Sequence, residues 1–322
     1  MFNPAQTVVI ANPAAAGGRV GQQWEAYSAR IRAQLGEVRL VRTERSGHGI
    51  ELAAQAVRDG ATELLSLGGD GTHNEVVNGI MAAAPPKGAV TLGILPAGTG
   101  GDFRRNLAHA ATLDDALQHL VAADCHPIDL GRCHYADDQG QPGSRWFVNI
   151  ASCGISGLVC RIANASSKRL PGKATFFLST LRAMARYQGS PVRVTVDGVV
   201  VGEHRITSLQ ACNGRYAGGG MMFAPQACLD DGLLDVVIME ERGFLRTVSK
   251  SGLLYEGQHL ALPEVHFHQG RVIEVEPLDP ALPSWVDIDG EAPGKAPVRF
   301  EIVPGAIQLR GALPGLVGAA GS

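Results

Sequence analysis

The sequence predicts two domains: an α/β domain with a parallel sheet flanked by helices and, after it, a mainly antiparallel β-sandwich. The chain has 322 residues, more than the ~100–200 residues of a typical single domain. As far as residue 122, short β-branched runs alternate with segments of helical spacing, which indicates a parallel sheet covered on both faces. After Pro127, strand-like segments follow one another and helices become rare, which favours antiparallel pairing.

The first domain is predicted to contain four strands and four helices in alternation. Its first helix illustrates the pattern, because Tyr27, Ile31 and Leu35 lie at helical spacing and would form one apolar face. In chain order the predicted elements are strand 7–11, helix 22–35, strand 37–41, helix 49–59, strand 63–67, helix 74–84, strand 90–95 and helix 113–122.

The second domain is predicted from closely spaced β-branched and aromatic runs. Asp197-Gly198 stands between two valine-rich runs, which is the signature of a two-residue hairpin turn. The predicted strands are 146–150, 192–196, 199–205, 206–212, 233–239, 265–267 and 272–275.

The last strand-like segment, 298–309, could extend the second domain or return to the first. We assign residues 1–129 to the first domain, with 299–312 returning to it, and residues 130–298 to the second. The small-residue segment 313–322 is predicted to be a flexible tail.

Composition excludes several classes of protein. The net charge is −3, so the chain as a whole offers no basic surface for nucleic acid. Six cysteines occur without a Cys-x-x-Cys pair, which argues against a cysteine zinc site or a disulfide framework and fits reduced cytoplasmic thiols. The N-terminus lacks the features of a signal peptide, and no apolar run approaches the ~20 residues needed to span a bilayer.

Glycine is unusually frequent, with 41 of 322 residues or about 13% against a typical ~7%. The strongest cluster is 68–72, Gly-Gly-Asp-Gly-Thr, which leaves a predicted strand and precedes a predicted helix. Glycines let main-chain N–H groups approach phosphate oxygens, and the helix N-terminus adds about half a positive charge. Asp70 would then hold Mg²⁺ or a ribose hydroxyl; the alternative is a tight turn that this carboxylate supports.

Two further loops leave predicted strands in the same way. The loop 95–103 supplies glycines, the hydroxyl of Thr99 and the carboxylate of Asp102, although it could also be only a helix cap. The loop 12–18 begins with Asn12 and ends in two glycines, and an ordinary turn is its alternative. Ligands of open α/β sheets bind outside the carboxyl ends of the strands, so the three loops would converge on one nucleotide.

These loops resemble those of the diacylglycerol kinase and sphingosine kinase family of ATP-dependent lipid kinases. The Gly-Gly-Asp-Gly-Thr loop alone would also fit phosphofructokinases and NAD kinases, but the later motifs exclude them. The resemblance covers almost the whole chain. The matching motifs are Asn12-Pro13 with Gly17-Gly18, Gly68 to Thr72, Pro96 to Phe103, Phe147-x-Asn149, Gly154, Gly218 to Met221 with Ala224-Pro225, Asp231 to Asp235, and Ile288 to Glu291.

The resemblance implies transfer of the γ-phosphate of ATP, assisted by Mg²⁺, to the hydroxyl of a membrane lipid such as diacylglycerol or a sphingoid or ceramide-type lipid. Asp289 is implied as the general base, with Glu291 beside it and Asp70 as the Mg²⁺ organiser. Arg105, Lys173 and Asp129 would form a charge network near the transferred phosphate. The implied nucleotide contacts are Asn12, Pro13, Thr43, Gly68, Gly69, Asp70, Gly71, Thr72, Glu75, Gly98, Thr99 and Asp102.

Each implied role has a structural alternative. Asp289 could be only the turn residue of an Asp-Gly hairpin, and Arg105 and Lys173 could be solvated surface charges. If Asp289 acts only as a general base, its replacement by asparagine should abolish turnover and leave folding intact.

A second metal site is implied at 228–233. There the resemblance suggests a structural Mg²⁺ or Ca²⁺ bound by the Asp231 carboxylate and by main-chain oxygens, with Leu233 and Cys228 in the ligand set. The alternative is an acidic turn that opens a strand. His266 and His268 share one strand face, but no third ligand follows from the sequence, so no metal is predicted there.

One position departs from the family pattern. Gly101 stands where these kinases usually have asparagine, which removes a potential amide contact to nucleotide or metal. This departure prompts a second hypothesis, a non-catalytic lipid- or nucleotide-binding protein on the same fold.

The segment 168–187 places five cationic residues around an apolar face. It could lie against anionic headgroups, which would put the cytoplasmic protein transiently at the inner face of the membrane. The alternative is a helix packed on its own core with its charges in water. An exposed β edge could also pair between two chains to give a homodimer.

Overall fold

The computed structural model describes residues 2–97, 101–107, 112–165, 172–242 and 252–311, and side chains are not described for 172–177. The chain divides into two compact units, which we call the first and second unit. The first comprises Met1–Leu130 with Pro304–Ser322, and the second is Gly131–Val303. The predicted boundaries lay at 129/130 and 298/299.

The first unit contains a parallel sheet flanked by helices, which confirms the predicted fold class. Strands β1 and β3 are buried along their whole length, as strands covered on both faces must be. The sheet has the order β2-β1-β3-β4, followed by the end of β16. Its elements are β1 (Thr7–Ala11), α1 (Arg19–Gln22), α2 (Trp24–Leu35), β2 (Arg39–Arg42), α3 (His48–Arg58), β3 (Glu63–Gly68), α4 (Asp70–Ala82), β4 (Thr91–Pro96) and α5 (Leu113–Ala122).

The second unit is built mainly from antiparallel strands, as predicted. Neighbouring strands follow the order β13-β12-β9-β8-β14-β16, and β7 pairs with both β9 and β15. The elements of this part of the chain are β5 (Cys125–Ala136), β6 (Pro142–Phe147), β7 (Ile150–Gly154), α6 (Ile155–Ala165), α7 (Gly172–Arg186), β8 (Ser190–Val196), β9 (Val199–Cys212), β10 (Tyr216–Ala217), β11 (Met221–Met222), β12 (Leu234–Glu240), α8 (Gly252–Glu256), β13 (Val265–Gly270), β14 (Val272–Pro277), β15 (Val286–Ile288) and β16 (Lys295–Arg310).

The hairpin between β8 and β9 forms as the sequence predicts. Asp197 and Gly198 have φ angles of 49° and 81°, and both left-handed positions are required by the two-residue turn. The two predicted strands 199–205 and 206–212 are one continuous strand, β9, whose halves pair with different neighbours.

Strand β16 resolves the open question about the end of the chain. Val298 to Glu301 pair antiparallel with β14, and Gln308 to Arg310 pair in parallel with β4. The strand therefore takes part in both units. Arg310 fixes the returning end, because its guanidinium bonds the buried carboxylate of Glu63 at 2.5 and 3.1 Å and the carbonyl of Ala123 at 2.9 Å.

Three sequence expectations about local structure are wrong. Helix α4 begins at Asp70 rather than at residue 74, so it starts inside the glycine motif. The predicted strand 146–150 is broken between β6 and β7 at Val148 and Asn149. Helix α6, with 11 residues, was not predicted, whereas α7, with 15 residues, lies inside the segment 168–187 that was expected to be helical.

Candidate active site

The glycine motif joins β3 directly to α4. A Cβ on Gly68 would overlap the side chain of Thr72, so this position must be glycine for the turn to close. Around Gly69 and Gly71 a Cβ would meet nothing within 4 Å, which leaves open space beside the main chain. Among the described residues no side chain caps this helix N-terminus, and the first N–H groups of a helix have no intrahelical acceptor. The arrangement is that of an anion site.

Asp70 ties the glycine motif to the next loop. Its Oδ2 accepts the N–H of Asp102 at 2.9 Å, and its Oδ1 accepts the N–H of Phe103 at 3.0 Å. The first observed role of this carboxylate is therefore to hold two loops at fixed positions. Its predicted role as Mg²⁺ organiser stays a prediction.

Asn12 connects the first loop to the same motif. Its Nδ2 donates to Oγ1 of Thr72 at 3.1 Å, and its Oδ1 accepts the N–H of Ala14 at 2.9 Å. The carbonyl of neighbouring Pro13 accepts the N–H of Gly21 at 3.0 Å, which closes the loop onto α1. The structure thus brings together three predicted groups of the first unit: Asn12, the 68–72 motif and Asp102.

Glu75 and Thr43 have structural partners in the first unit. The Glu75 carboxylate accepts the N–H groups of Gly47 at 2.7 Å and Gly49 at 2.9 Å, where α3 begins. Thr43 is buried, and its N–H donates to the carbonyl of Ala11 at 2.9 Å. Glu75 therefore anchors a loop, and its predicted contact with nucleotide stays a prediction.

His73 is a buried residue of the motif region that the sequence reading did not single out. Its Nδ1 lies 2.8 Å from Oγ of Ser66, which is a residue of β3. Burial lowers the pKa of His73 to about 4, although the nearby charge of Asp70 opposes the shift. The imidazole is therefore neutral at physiological pH and adds no cation beneath the helix N-terminus.

The loop that follows β4 carries Gly101, Asp102 and Arg105. Gly101 has a φ of 148°, a conformation that side chains rarely adopt, so glycine here suits the local backbone. Arg105 lies 3.6 Å from the Asp102 carboxylate and is 45% exposed, which leaves its guanidinium accessible to an anion. Gly98 and Thr99 lie outside the described residues.

Asp289 occupies the centre of a hydrogen-bond cluster in the second unit. Its Oδ2 accepts the N–H of Val148 at 2.9 Å, and its Oδ1 accepts those of Asn149 at 3.2 Å and Ile150 at 3.0 Å. These three N–H groups explain the break between β6 and β7, because they bond the carboxylate instead of a neighbouring strand. Three such donors fix the orientation of the carboxylate.

The turn that carries Asp289 is an Asp-Gly turn with φ angles of 48° and 92°. The hairpin alternative considered from the sequence is therefore correct as a description of the backbone. The main-chain groups of Ile288 and Glu291 bond each other across this turn at 2.8 and 3.0 Å, which places Glu291 beside Asp289.

Asp287 is a second carboxyl group in this cluster that the sequence reading missed. Its Oδ1 accepts the N–H of Gly290 at 2.8 Å. Burial, with smaller contributions from the charges of Asp289 and Glu291, raises the pKa of Asp287 to about 7. The pattern Asp-x-Asp-x-Glu could have indicated this carboxyl group in the sequence, because three acidic residues within five positions lie close enough to interact.

We expect Asp287→Asn to stabilise the protein at pH 8 and to change little near pH 4. The raised pKa means that the stabilising contribution of Asp287 is complete below its ordinary value of 3.8 and is lost as the pH rises through about 7. Asparagine stays neutral and keeps an oxygen for Gly290. Urea unfolding between pH 4 and 8 should give two stability curves that diverge as the pH rises; parallel curves would contradict the burial of an ionisable Asp287.

The loop 228–233 is an acidic turn in the structure. Asp231 Oδ1 accepts the N–H of Leu233 at 3.0 Å, and burial raises the pKa of Asp231. Cys228 is exposed, and its Sγ lies 3.4 Å from the carbonyl of Gln226. Buried Asp235 follows, with its Oδ1 accepting from Gln269 at 2.8 Å. Both the turn and the metal site fit these contacts, so the metal stays a prediction.

The remaining predicted residues are placed as follows. Asp129 accepts the N–H of Gly305 at 2.7 Å, a contact within the first unit that supports the return of β16. The side chain of Lys173 lies outside the described residues. In α7 the described face has Ala183 buried, while Leu178 and Leu181 are 38% and 37% exposed. Across the ranges that the structure describes, no helix is long and apolar enough to cross a membrane.

Comparisons with known proteins place these features in a family. Residues 6–133 match the family described as "Diacylglycerol kinase catalytic domain", and residues 149–311 match "YegS C-terminal NAD kinase beta sandwich-like domain". A "Probable lipid kinase YegS-like" from Chromohalobacter salexigens is 32% identical over 273 residues, covering 83% of this chain and 81% of the relative. A "Diacylglycerol kinase" from Mycobacterium tuberculosis is 29% identical over 260 residues, covering 80% and 79%.

Solved structures agree at the level of the fold. The crystal structure of a diacylglycerol kinase from Bacillus anthracis has a TM-score of 0.68 at 20% identity, covering 96% of this chain and 97% of that chain. A yeast NADH kinase structure has a TM-score of 0.53 at 12% identity, covering 99% and 89%. The fold is thus shared with NADH kinase as well, as the glycine motif alone would allow.

Fold and sequence together define a kinase of the lipid kinase class. The chain belongs to the diacylglycerol kinase and YegS-like lipid kinase family, which confirms the resemblance drawn from the motifs.

Proposed function

We propose that this lipid kinase transfers the γ-phosphate of ATP to the hydroxyl of a membrane lipid, with diacylglycerol or a sphingoid or ceramide-type lipid as acceptor. The observation that carries the proposal is the open, uncapped N-terminus of α4 at Asp70, immediately after β3. A helix N-terminus presents N–H donors and partial positive charge to a phosphate. The family relationship supports ATP as the donor.

The three loops of the first unit would hold the nucleotide. Space lies open beside Gly69 and Gly71 at this uncapped helix N-terminus, and the N–H groups of Gly69, Asp70 and Gly71 would bind phosphate oxygens there. Asn12 and Asp70 would support these N–H groups indirectly. Their hydrogen bonds to Thr72 and to the Asp102 loop hold the three loops in position. Arg105 would add a cation, as an exposed guanidinium can bond a phosphate in two places.

The donor set also fits Mg²⁺. Each carboxylate oxygen of Asp70 accepts one N–H and retains a lone pair, and Asp102 lies next to it in the loop that it holds. Mg²⁺ prefers carboxylate oxygens and keeps several waters, so Asp70 and Asp102 would hold it directly or through water. When bound, Mg²⁺ neutralises charge on the β- and γ-phosphates.

Asp289 is proposed to accept the proton of the lipid hydroxyl. The hydroxyl oxygen forms a bond to the γ-phosphorus, the bond from that phosphorus to the β–γ bridging oxygen breaks, and ADP leaves. Kinase transition states are loose, so a carboxylate in its charged form can orient the hydroxyl first and take the proton late. The three N–H donors to Asp289 would fix it for that role, and Glu291 would help to orient the acceptor.

Contact with the membrane is proposed through the segment that includes α7. Its exposed Leu178 and Leu181 offer apolar contact, and Arg182 and Arg186 offer charges for anionic headgroups. Contact would be peripheral and transient. The place of Lys173 in a charge network near the transferred phosphate, a metal at Asp231 and a homodimer stay predictions.

An assay with purified protein tests the proposal. ATP labelled in the γ-phosphate, Mg²⁺ and mixed micelles containing diacylglycerol, sphingosine, ceramide or phosphatidylglycerol would be incubated in parallel, and the extracted lipids separated. We expect label in the phosphorylated form of one lipid class. Saturable ATP binding with no labelled lipid from any of the four would contradict the proposal and favour a non-catalytic binding protein.

A further inference from the structure

Two histidines and a glutamate meet on one face of the second unit. Strand β12 lies between β9 and β13, and these three strands contribute Glu240, His204 and His266 respectively. Glu240 Oε1 lies 3.0 Å from His204 Nδ1 and 3.1 Å from His266 Nε2. The sequence reading dismissed His266 because it found no third ligand. The structure adds two potential ligands that spacing along the chain does not reveal, because both come from other strands.

The backbone directs the three side chains to one point. The pairing of β12 with β9 shifts register between Met239 and Glu240, and such a bulge re-aims the next side chain. The two imidazole rings lie against each other, with centroids 4.8 Å apart, and both reach Oε1 of Glu240. On the β9 side Gly202 provides room, since a Cβ there would overlap the ring of His204.

The geometry is close to that of a tetrahedral metal site. Zinc binds nitrogen and carboxylate oxygen at about 2.0–2.1 Å, so neighbouring ligands of a tetrahedron lie about 3.3 Å apart. Two of the three separations here are 3.0 and 3.1 Å, and all three ligand atoms lie within 4.8 Å of one another.

The surroundings supply support for the ligands. Arg242 donates to the other oxygen, Oε2, of Glu240 at 2.9 Å and so holds the carboxylate while Oε1 stays directed at the histidines. His204 is 11% exposed, and within the described part of the chain its Nε2 is buried without a hydrogen-bond partner. An unpartnered buried nitrogen costs stability. With Nε2 enclosed by the protein, Nδ1 is the nitrogen of His204 that faces Glu240 and is available to a metal.

We propose that His204, Glu240 and His266 form a binding site for a divalent transition metal, best suited to Zn²⁺, with water as the fourth ligand. Imidazole and carboxylate are typical zinc ligands, and Glu240 and His266, at 24% and 36% exposure, leave a path for the ion and for water. The metal would join β9, β12 and β13. It would therefore stabilise the folded state by an amount that grows with the logarithm of the free metal concentration once this exceeds the Kd.

Zinc titration of the chelator-treated, full-length protein tests this proposal. Calorimetry without ATP should detect one bound Zn²⁺ per chain, and zinc should raise the unfolding temperature. His204→Gln and His266→Gln keep a polar side chain beside Glu240, and each should weaken the affinity at least about tenfold. His134→Gln is the control: it removes a histidine 3.2 Å from Glu301, outside the proposed site, and its affinity should stay within twofold of the wild type.

The visible spectrum of Co²⁺ bound to the unmodified protein provides a second readout that needs no variant. We expect the strong absorption of four-coordinate cobalt, which zinc should displace. The proposal is overturned if the wild type shows neither zinc binding nor this spectrum. It is also overturned if both histidine variants bind zinc as tightly as the wild type does.

Discussion

Asp289→Asn is expected to lower lipid phosphorylation by at least about 100-fold per folded molecule, the minimum expected from loss of a general base. Asparagine tolerates the left-handed conformation of this turn, so the substitution changes the side chain and leaves the backbone path intact. Turnover should be measured well below the unfolding temperature, with the folded fraction determined by circular dichroism in the same buffer.

The same variant should also be less stable by about 1–3 kcal/mol. Both carboxylate oxygens of Asp289 accept N–H bonds, whereas an asparagine amide has only one acceptor oxygen, so part of this bonding is lost. The variant should therefore still fold, as the sequence suggested, but with a smaller free energy of unfolding. Asp197→Asn is a matched control, since Asp197 occupies the same kind of Asp-Gly turn and accepts two N–H bonds through one oxygen. It should keep full turnover. Turnover per folded Asp289→Asn molecule equal to wild type would eliminate the base.

Arg310→Met is expected to cost about 3–5 kcal/mol of unfolding free energy near pH 7.5, the cost of leaving a buried charge without its partner. Glu63 and Arg310 are 7% and 6% exposed, and the pair joins the end of β16 to β3. Burial already raises the pKa of Glu63, so in the variant this carboxyl should take up a proton readily. The destabilisation should therefore shrink as the pH is lowered.

Two comparisons make the Arg310 experiment specific. Replacing Glu63 with glutamine in the Arg310→Met background should recover part of the lost stability, because the buried charge is then gone. Arg299→Met removes an ion pair of 2.8 Å to Glu274 whose members are both 44% exposed, and it should cost at most about 1 kcal/mol. Equal losses at positions 310 and 299, measured by urea unfolding, would show that burial does not govern the strength of the pair.

Much of the fold could be predicted because local patterns determine it. The alternation of apolar strands and amphipathic helices gave the first unit, and Asp197-Gly198 gave the hairpin of β8 and β9. The break between β6 and β7 could not be predicted. It depends on N–H bonds from Val148, Asn149 and Ile150 to a carboxylate about 140 residues away, and no local pattern reports such a contact.

In the candidate site, too, local features could be predicted and contacts between distant residues could not. Glycine spacing identified the turn between β3 and α4, but the start of α4 was placed too late, because Asp70 and Gly71 have poor helix propensity and only the turn geometry brings them into the helix. The sequence also did not reveal that the carboxylate oxygens of Asp70 and Glu75 accept hydrogen bonds from main-chain N–H groups. The His204, Glu240 and His266 cluster was missed because strand order, rather than spacing, brings its members together.

The most direct measurement follows the γ-phosphate itself. Two parallel reactions would contain the protein, Mg²⁺ and lipid micelles, one with ATP labelled at the γ-phosphate and one with ATP labelled at the α-phosphate. A lipid kinase should place the γ-label, and none of the α-label, in the organic extract, and the transfer should stop in Asp289→Asn. Release of the γ-label only as inorganic phosphate, with no labelled lipid, would contradict phosphoryl transfer to a lipid hydroxyl.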